Sequence, residues 1–64
     1  MLRLLIIDYY SGKQFNNVEV VDSVEDMPRD TVCIANVLDK NTMERYYIYF
    51  GTTDNFFYAI KDEE

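Results

Sequence analysis

The sequence has no histidine, no tryptophan, one cysteine, one proline and two glycines in 64 residues. Without histidine the commonest general base is missing, and neither a Ser-His-Asp nor a Cys-His arrangement can be assembled. The single cysteine, Cys33, leaves no intrachain disulfide, and one thiol among scattered carboxylates makes no zinc site. Basic residues are scarce as well, six against twelve acidic ones, for a formal charge of −6. Nucleic-acid backbones and anionic membrane surfaces are bound by clustered Lys and Arg, so the balance points away from both. Long hydrophobic runs are lacking. The opening MLRLLII is far too short to cross a bilayer and lacks the length and cleavage site of a signal peptide. A chain that begins with Met and keeps one free thiol is expected to be a complete, cytoplasmic gene product.

The motifs that would carry chemistry are incomplete. Ser11-Gly12-Lys13 contains Gly-Lys but none of the other spacing of a phosphate-binding loop, and reads as a hairpin turn. Glu25-Asp26 and Glu63-Glu64 lack the glycine bend and ligand spacing of a calcium loop, and read as solvated charge. Asp8 interrupts an apolar run and marks the exposed end of a strand beside the turn. Cys33, within TVCIANVL, reads as a small buried hydrophobe. The sequence therefore predicts no catalytic residue, metal, cofactor or small-molecule substrate, and a protein that is not an enzyme.

Aromatic residues are plentiful. The stretch ERYYIYFGTTDNFFYAI, Glu44 to Ile60, carries Tyr46, Tyr47, Tyr49, Phe50, Phe56, Phe57 and Tyr58. In a strand over 45–50, Tyr47 and Tyr49 point one way, and Tyr46, Ile48 and Phe50 the other. Both faces are thus aromatic, and only one of them is required for a core.

The remaining chain reads as short strands separated by turns. Segment 2–10 is apolar on both alternating faces. Segment 15–22 alternates and should pair with the first as a hairpin. SVEDMPRD offers Ser23 and Asp26 as a weak capping box, and Pro28 disfavours helix at Met27, so one helical turn is predicted near 23–27. Segment 31–38 reads as a central strand. The connection 39–42 has Asn41 as its candidate for positive φ. Strands at 44–50 and 56–61 follow, and 62–64 reads as an acidic, frayed tail.

The predicted fold is mainly β: one domain over 1–61, built as a small five-stranded antiparallel meander, or as a curled sheet or small barrel. The expected core draws on Leu4, Ile6, Val18, Val20, Val32, Ile34, Leu38, Tyr47, Tyr49 and Tyr58. Register stays open, because a one-residue slip exchanges the two faces. A β meander interrupted by SVEDMP resembles short bacterial or phage reading frames, and no function follows from that likeness.

A domain this small hides only about 60% of the surface its unfolded chain exposes, so a partner or a second copy is a natural support. Tyrosine suits such contacts because an apolar ring carries a polar tip. The functional expectation is a small acidic protein-interaction module, of inhibitor or adaptor type, which also admits a homodimer. Its expected contacts are Tyr46, Phe50 and Phe57 on an aromatic β face, and Glu19, Asp22, Glu25 and Asp26 in an acidic patch. The alternative is single-stranded nucleic-acid binding, with the same three aromatics stacking on bases. The lack of a basic groove makes nucleic acid the weaker partner.

Overall fold

The computed structural model of the protein describes residues 3–63. Five strands form one sheet: β1 (Arg3–Ile7), β2 (Gln14–Val21), β3 (Thr31–Leu38), β4 (Arg45–Gly51) and β5 (Phe57–Lys61). A single 3-10 turn, Val24–Asp26, lies between β2 and β3. The mainly β class is as expected, but a pure antiparallel meander is not. The spatial order is β1-β2-β5-β4-β3, with β5 inserted beside β2 in a parallel pairing. The other three pairings are antiparallel. The physical reason lies in the connection 22–30. It is too long for a tight hairpin, so β3 is delivered to the far edge of the sheet and β4 and β5 fold back toward β2.

The sheet curls without closing. Just past β1 and β3, Asp8 and Asp39 face each other in an isolated antiparallel bridge. The Tyr9 N–H donates to the Leu38 carbonyl at 2.7 Å, and the Lys40 N–H to the Ile7 carbonyl at 2.9 Å. That bridge is where the edge strands β1 and β3 meet.

Cross-strand partners share a face, so register and burial together sort the side chains. The inner face holds the main core: Ile6, Phe15, Val18, Val37, Tyr46, Ile48 and Ala59, with Leu4, Val20, Ala35 and Phe57 packed against it. Phe15 and Val18 are three residues apart, which simple alternation would place on opposite faces. A bulge reconciles them. Asn17 adopts φ 56°, and the pairing with β1 slips between Leu4 and Ile6. A second bulge, between Cys33 and Ala35, resets β3.

The edge position of β3, which leaves Val32 open although it aligns with Phe50, and the second bulge at Ile34 together overturn part of the expected core. Val32 and Ile34 are 49% and 44% exposed, while Val37 is buried. Cys33, expected inside, is exposed. Tyr47 is also exposed, since Tyr46 and Ile48 take the inner positions on β4. Segment 31–38 is an edge strand rather than a central one.

The outer face has a smaller core of its own. Val21, Met27 and Tyr58 are buried together, with Tyr49 and Ile60 packed beside them. The chain after the 3-10 turn folds Met27 down over the outer tyrosines. Ser23 and Asp26 do approach each other, Oγ to Oδ2 at 3.5 Å, but Ser23 makes no side-chain cap to the backbone.

Three turns share one geometry. Asp8, Asp39 and Gly51 each donate their N–H to the carbonyl five residues on, and accept at their own carbonyl from the N–H four residues on. The fifth residue of each turn is left-handed: Gly12 (φ 71°), Met43 (φ 62°) and Asn55 (φ 62°). Positive φ therefore falls on Met43 rather than on Asn41. Tyr9 and Tyr10, expected in the first strand, lie in the first of these turns. At the other end of the chain, the Asp62 N–H donates to the Arg45 carbonyl and its carboxylate accepts from Asn36, which prolongs the β4–β5 ladder. Leu2, in the predicted first strand, and Glu64, in the predicted frayed tail, lie outside the described residues.

Candidate protein-interaction surface

The expected contact residues divide between the two faces. Tyr46 is 6% exposed and belongs to the inner core. It is a correction to the expected contact set, because a ring buried inside the curled sheet offers no face to a partner. Phe50 and Phe57 are cross-strand partners on the same inner face, with ring centroids 5.3 Å apart. Phe57 also meets Phe15 edge to face at 5.5 Å. Both rings are half-buried and occupied with one another. The aromatic triad expected to contact a partner, or to stack on bases, is thus mostly core.

Tyr46 has polar company at its tip. Its hydroxyl donates to Glu44 Oε1 at 3.1 Å, and Lys61 Nζ stands 2.6 Å from Glu44 Oε2. Desolvation, then the Glu44 carboxylate, raises the phenol pKa. The hydrogen bond from Lys61, then that from Tyr46, lowers the Glu44 pKa, and Glu44 raises that of Lys61. The Lys61–Glu44 pair is half-exposed, so it orders this mouth of the sheet while adding little stability.

Four acidic residues of the expected patch remain at the surface. Asp22, Glu25 and Asp26 are exposed, and Glu19 is half-buried on the outer face, aligned with Arg3 and Tyr58. Two of these contribute to concave surfaces. Glu25 lines a groove of about 420 Å³ with Val24, Met27, Pro28, Arg29, Thr31 and Tyr49. Asp22 lines a second one, of about 360 Å³, near Glu44, Tyr46, Lys61 and Glu63.

The first groove exists because of the local chain path. Met27 is anchored in the outer core, and the Thr31 hydroxyl donates to the Pro28 carbonyl at 3.1 Å, fixing the descent into β3. Asp30 then ties this corner to the β4–β5 turn. Its carbonyl accepts from the Thr52 hydroxyl at 2.8 Å, and its carboxylate from the Thr53 N–H at 2.7 Å. Hydrogen bonds from Thr53, ahead of those from Thr52, hold the Asp30 carboxyl below its ordinary pKa. Val24 stands exposed at the rim of the groove, and Tyr49 forms part of its wall.

Sequence reasoning missed several residues of this surface. Val24 and Met27 sit in the segment read as a single helical turn near 23–27, and the one available signal was a pair of large apolar residues flanking Glu25-Asp26. Tyr47 and Tyr49 were assigned to the core. Tyr9 and Tyr10, edge to face at 5.3 Å on an exposed turn, would have required knowing that the first strand stops at Ile7.

Among the described residues, no group of three or more His, Cys, Asp or Glu side chains is disposed to hold a metal ion, and no helix is long and apolar enough to cross a membrane. Compared with protein-family models, with curated protein sequences and with solved structures, the chain matches none.

Proposed function

We propose that the protein is a non-catalytic interaction module, of inhibitor or adaptor type, that takes a basic protein partner on its outer face. The observation that carries this reading is the groove beside Tyr49. Its wall is apolar, through Val24, Met27 and Tyr49, and Glu25 and Arg29 both stand at its edge, with exposed Asp26 and Asp22 close by in the chain tipping the surroundings to acidic. An apolar floor with an acidic rim suits a partner that inserts a hydrophobic side chain flanked by Lys or Arg. The net charge of −6 would also speed encounter with such a partner at low salt. A cytoplasmic setting belongs to the same proposal. It is supported by the exposed thiol of Cys33, which stays free in a reducing compartment.

The test is calorimetric titration with a Lys-rich peptide bearing a central Leu, at low and at physiological salt. Binding should weaken as salt rises, and should fall further in Glu25→Lys/Asp26→Lys, both exposed positions whose replacement leaves the fold intact. A folded protein that takes up no peptide at low salt would remove the proposal.

A further inference from the structure

The free edge of β3 lies next to that groove, and Thr31 belongs to both. β3 is eight residues long and pairs along one side, with β4. Native edge strands are normally blunted by lysine, proline or an inward charge. Thr31–Leu38 contains no charged residue and no proline. It presents Val32 and Ile34 nearly half-exposed, with Cys33 exposed between them. The one blunting device present is the bulge between Cys33 and Ala35. The other edge is treated differently. β1 is five residues long and opens with Arg3, whose guanidinium covers the Phe56 ring at 4.7 Å.

The charge around β3 is acidic at its leading end and balanced at the other. Ahead of it come Glu25, Asp26 and Asp30, against Arg29. Behind it Asp39 is buried at 2% exposure, and Asp8 is offset by Lys40 and by Arg45, whose guanidinium donates to Asn36 Oδ1 at 3.1 Å. The last edge position is already taken: the Leu38 carbonyl accepts from the Tyr9 N–H, and the Leu38 N–H approaches Asp8 Oδ1 at 3.4 Å. The open part of the edge is therefore its first portion, from Thr31 toward Asn36, uncharged itself and preceded by Glu25, Asp26 and Asp30.

Resting on the reading above of a basic partner, the geometry points to strand addition as the binding mode. The partner supplies an extended segment that pairs with the free edge of β3, apolar in its middle against Val32 and Ile34 and carrying Lys or Arg at the end that meets Glu25, Asp26 and Asp30. Main-chain hydrogen bonds give the affinity in this mode, and the side chains give the register. A second copy of the chain fits this edge less well, because it would bring another −6 against the same leading acidic residues.

The experiment uses the full chain and three synthetic probes: a segment of alternating Val and Thr with two Lys at each end, the same segment N-methylated at alternate amides, and a version with Glu ends. The first should bind and should slow hydrogen exchange at the amides of Val32–Asn36. N-methylation and Glu ends should each weaken binding at least tenfold, and Val32→Lys/Ile34→Lys should do the same to the first probe. If the methylated probe binds equally and exchange along β3 is unchanged, strand addition is overturned while the basic-partner reading survives. If no Lys-ended probe binds, strand addition is overturned, and the Leu-bearing peptide decides the basic-partner reading by itself. If the protein alone sediments as a dimer with β3 amides already protected, and a thiol-reactive bifunctional reagent joins Cys33 to Cys33, the edge belongs to a second copy and the proposal is overturned.

Discussion

The hydroxyl of Tyr58 donates a 2.5 Å hydrogen bond to Oδ2 of Asp54, four residues earlier in the chain. The same carboxylate accepts from the Phe56 N–H through Oδ1, so one side chain ties the β4–β5 turn both to its own backbone and to the outer core. The bond to Asp54, reinforced by burial, pushes the Tyr58 phenol from its ordinary 10.0 up to about 12. A phenol whose pKa is raised on folding favours the folded state below its unfolded value and surrenders that contribution as pH climbs to the folded value. Stability should therefore fall between pH 10 and about 12, by on the order of 2 kcal/mol. Urea unfolding at several alkaline pH values should show a clearly larger loss in the native protein than in Tyr58→Phe, where the raised pKa values of Tyr46 and Lys61 leave a remainder. An equal slope in both would place the alkaline sensitivity elsewhere.

Gly51 makes that arrangement possible. A Cβ at position 51 would overlap Asp54 Oδ1 and come within 3.0 Å of its Cγ. The carboxylate is held by two hydrogen bonds and cannot step aside without breaking them. Gly51→Ala is expected to cost roughly 2–3 kcal/mol. In an Asp54→Ala background the same substitution should cost much less, since the clashing group is gone. Additive penalties in that double-mutant cycle would mean that the two residues act independently.

The acid limb has its own groups. The Ser11 hydroxyl, opposed by partial burial and helped by the Tyr10 and Leu38 N–H groups, lowers the Asp8 pKa. Thr53 and Thr52 lower that of Asp30. Carboxylates depressed on folding stabilise the protein above their unfolded pKa of 3.8 and lose that effect as pH falls through the lower folded values. Asp8→Asn and Asp30→Asn should each shrink the difference in urea midpoint between neutral pH and pH values below 3.8. Full native acid sensitivity in the double variant would contradict this.

Met43 carries backbone strain. It holds φ 62° with its side chain 58% exposed, so the left-handed conformation is not offset by burial. Such a conformation costs an L-residue roughly 1–2 kcal/mol. Met43→Gly should raise stability by about 0.5–1 kcal/mol once the greater chain entropy of glycine is deducted. A lower melting temperature in the variant would mean that the side chain contributes a contact that outweighs the strain.

The adjacent tyrosines of β4 should separate cleanly. Tyr46→Ala empties a position in the inner core and is expected to cost about 3–5 kcal/mol, enough to unfold much of a domain this small. Tyr47→Ala, at 39% exposure on the other face, should cost about 1 kcal/mol or less. Comparable urea midpoints for the two variants would mean that the faces are assigned wrongly.

How much of this was legible beforehand differs from element to element. The five strands, the helical turn after Ser23 and the hairpin turn at Ser11-Gly12-Lys13 were readable, because alternation and turn residues are local signals. The exposed acidic residues Asp22, Glu25 and Asp26 were readable for the same reason. The inward face of β4 was not. Tyr46, Ile48 and Phe50 are as apolar as Tyr47 and Tyr49, so composition gives no preference, and the expected contact set took the wrong side. Nor was the groove, whose wall needs Met27 laid over Tyr49 and Tyr58.

By itself the sequence determined a small, acidic, mainly β chain and roughly where its five strands lie, since each of those features depends on a few neighbouring residues, although the end of β1 at Ile7 escaped it. Only the tertiary structure decided the parallel pairing of β2 with β5, the two bulges that turn Val18 inward and Ile34 outward, and the edge position of β3. Those depend on which strands meet across distant parts of the chain. A side-chain period of two leaves each strand with two equally regular faces, and contact with its neighbours selects one of them.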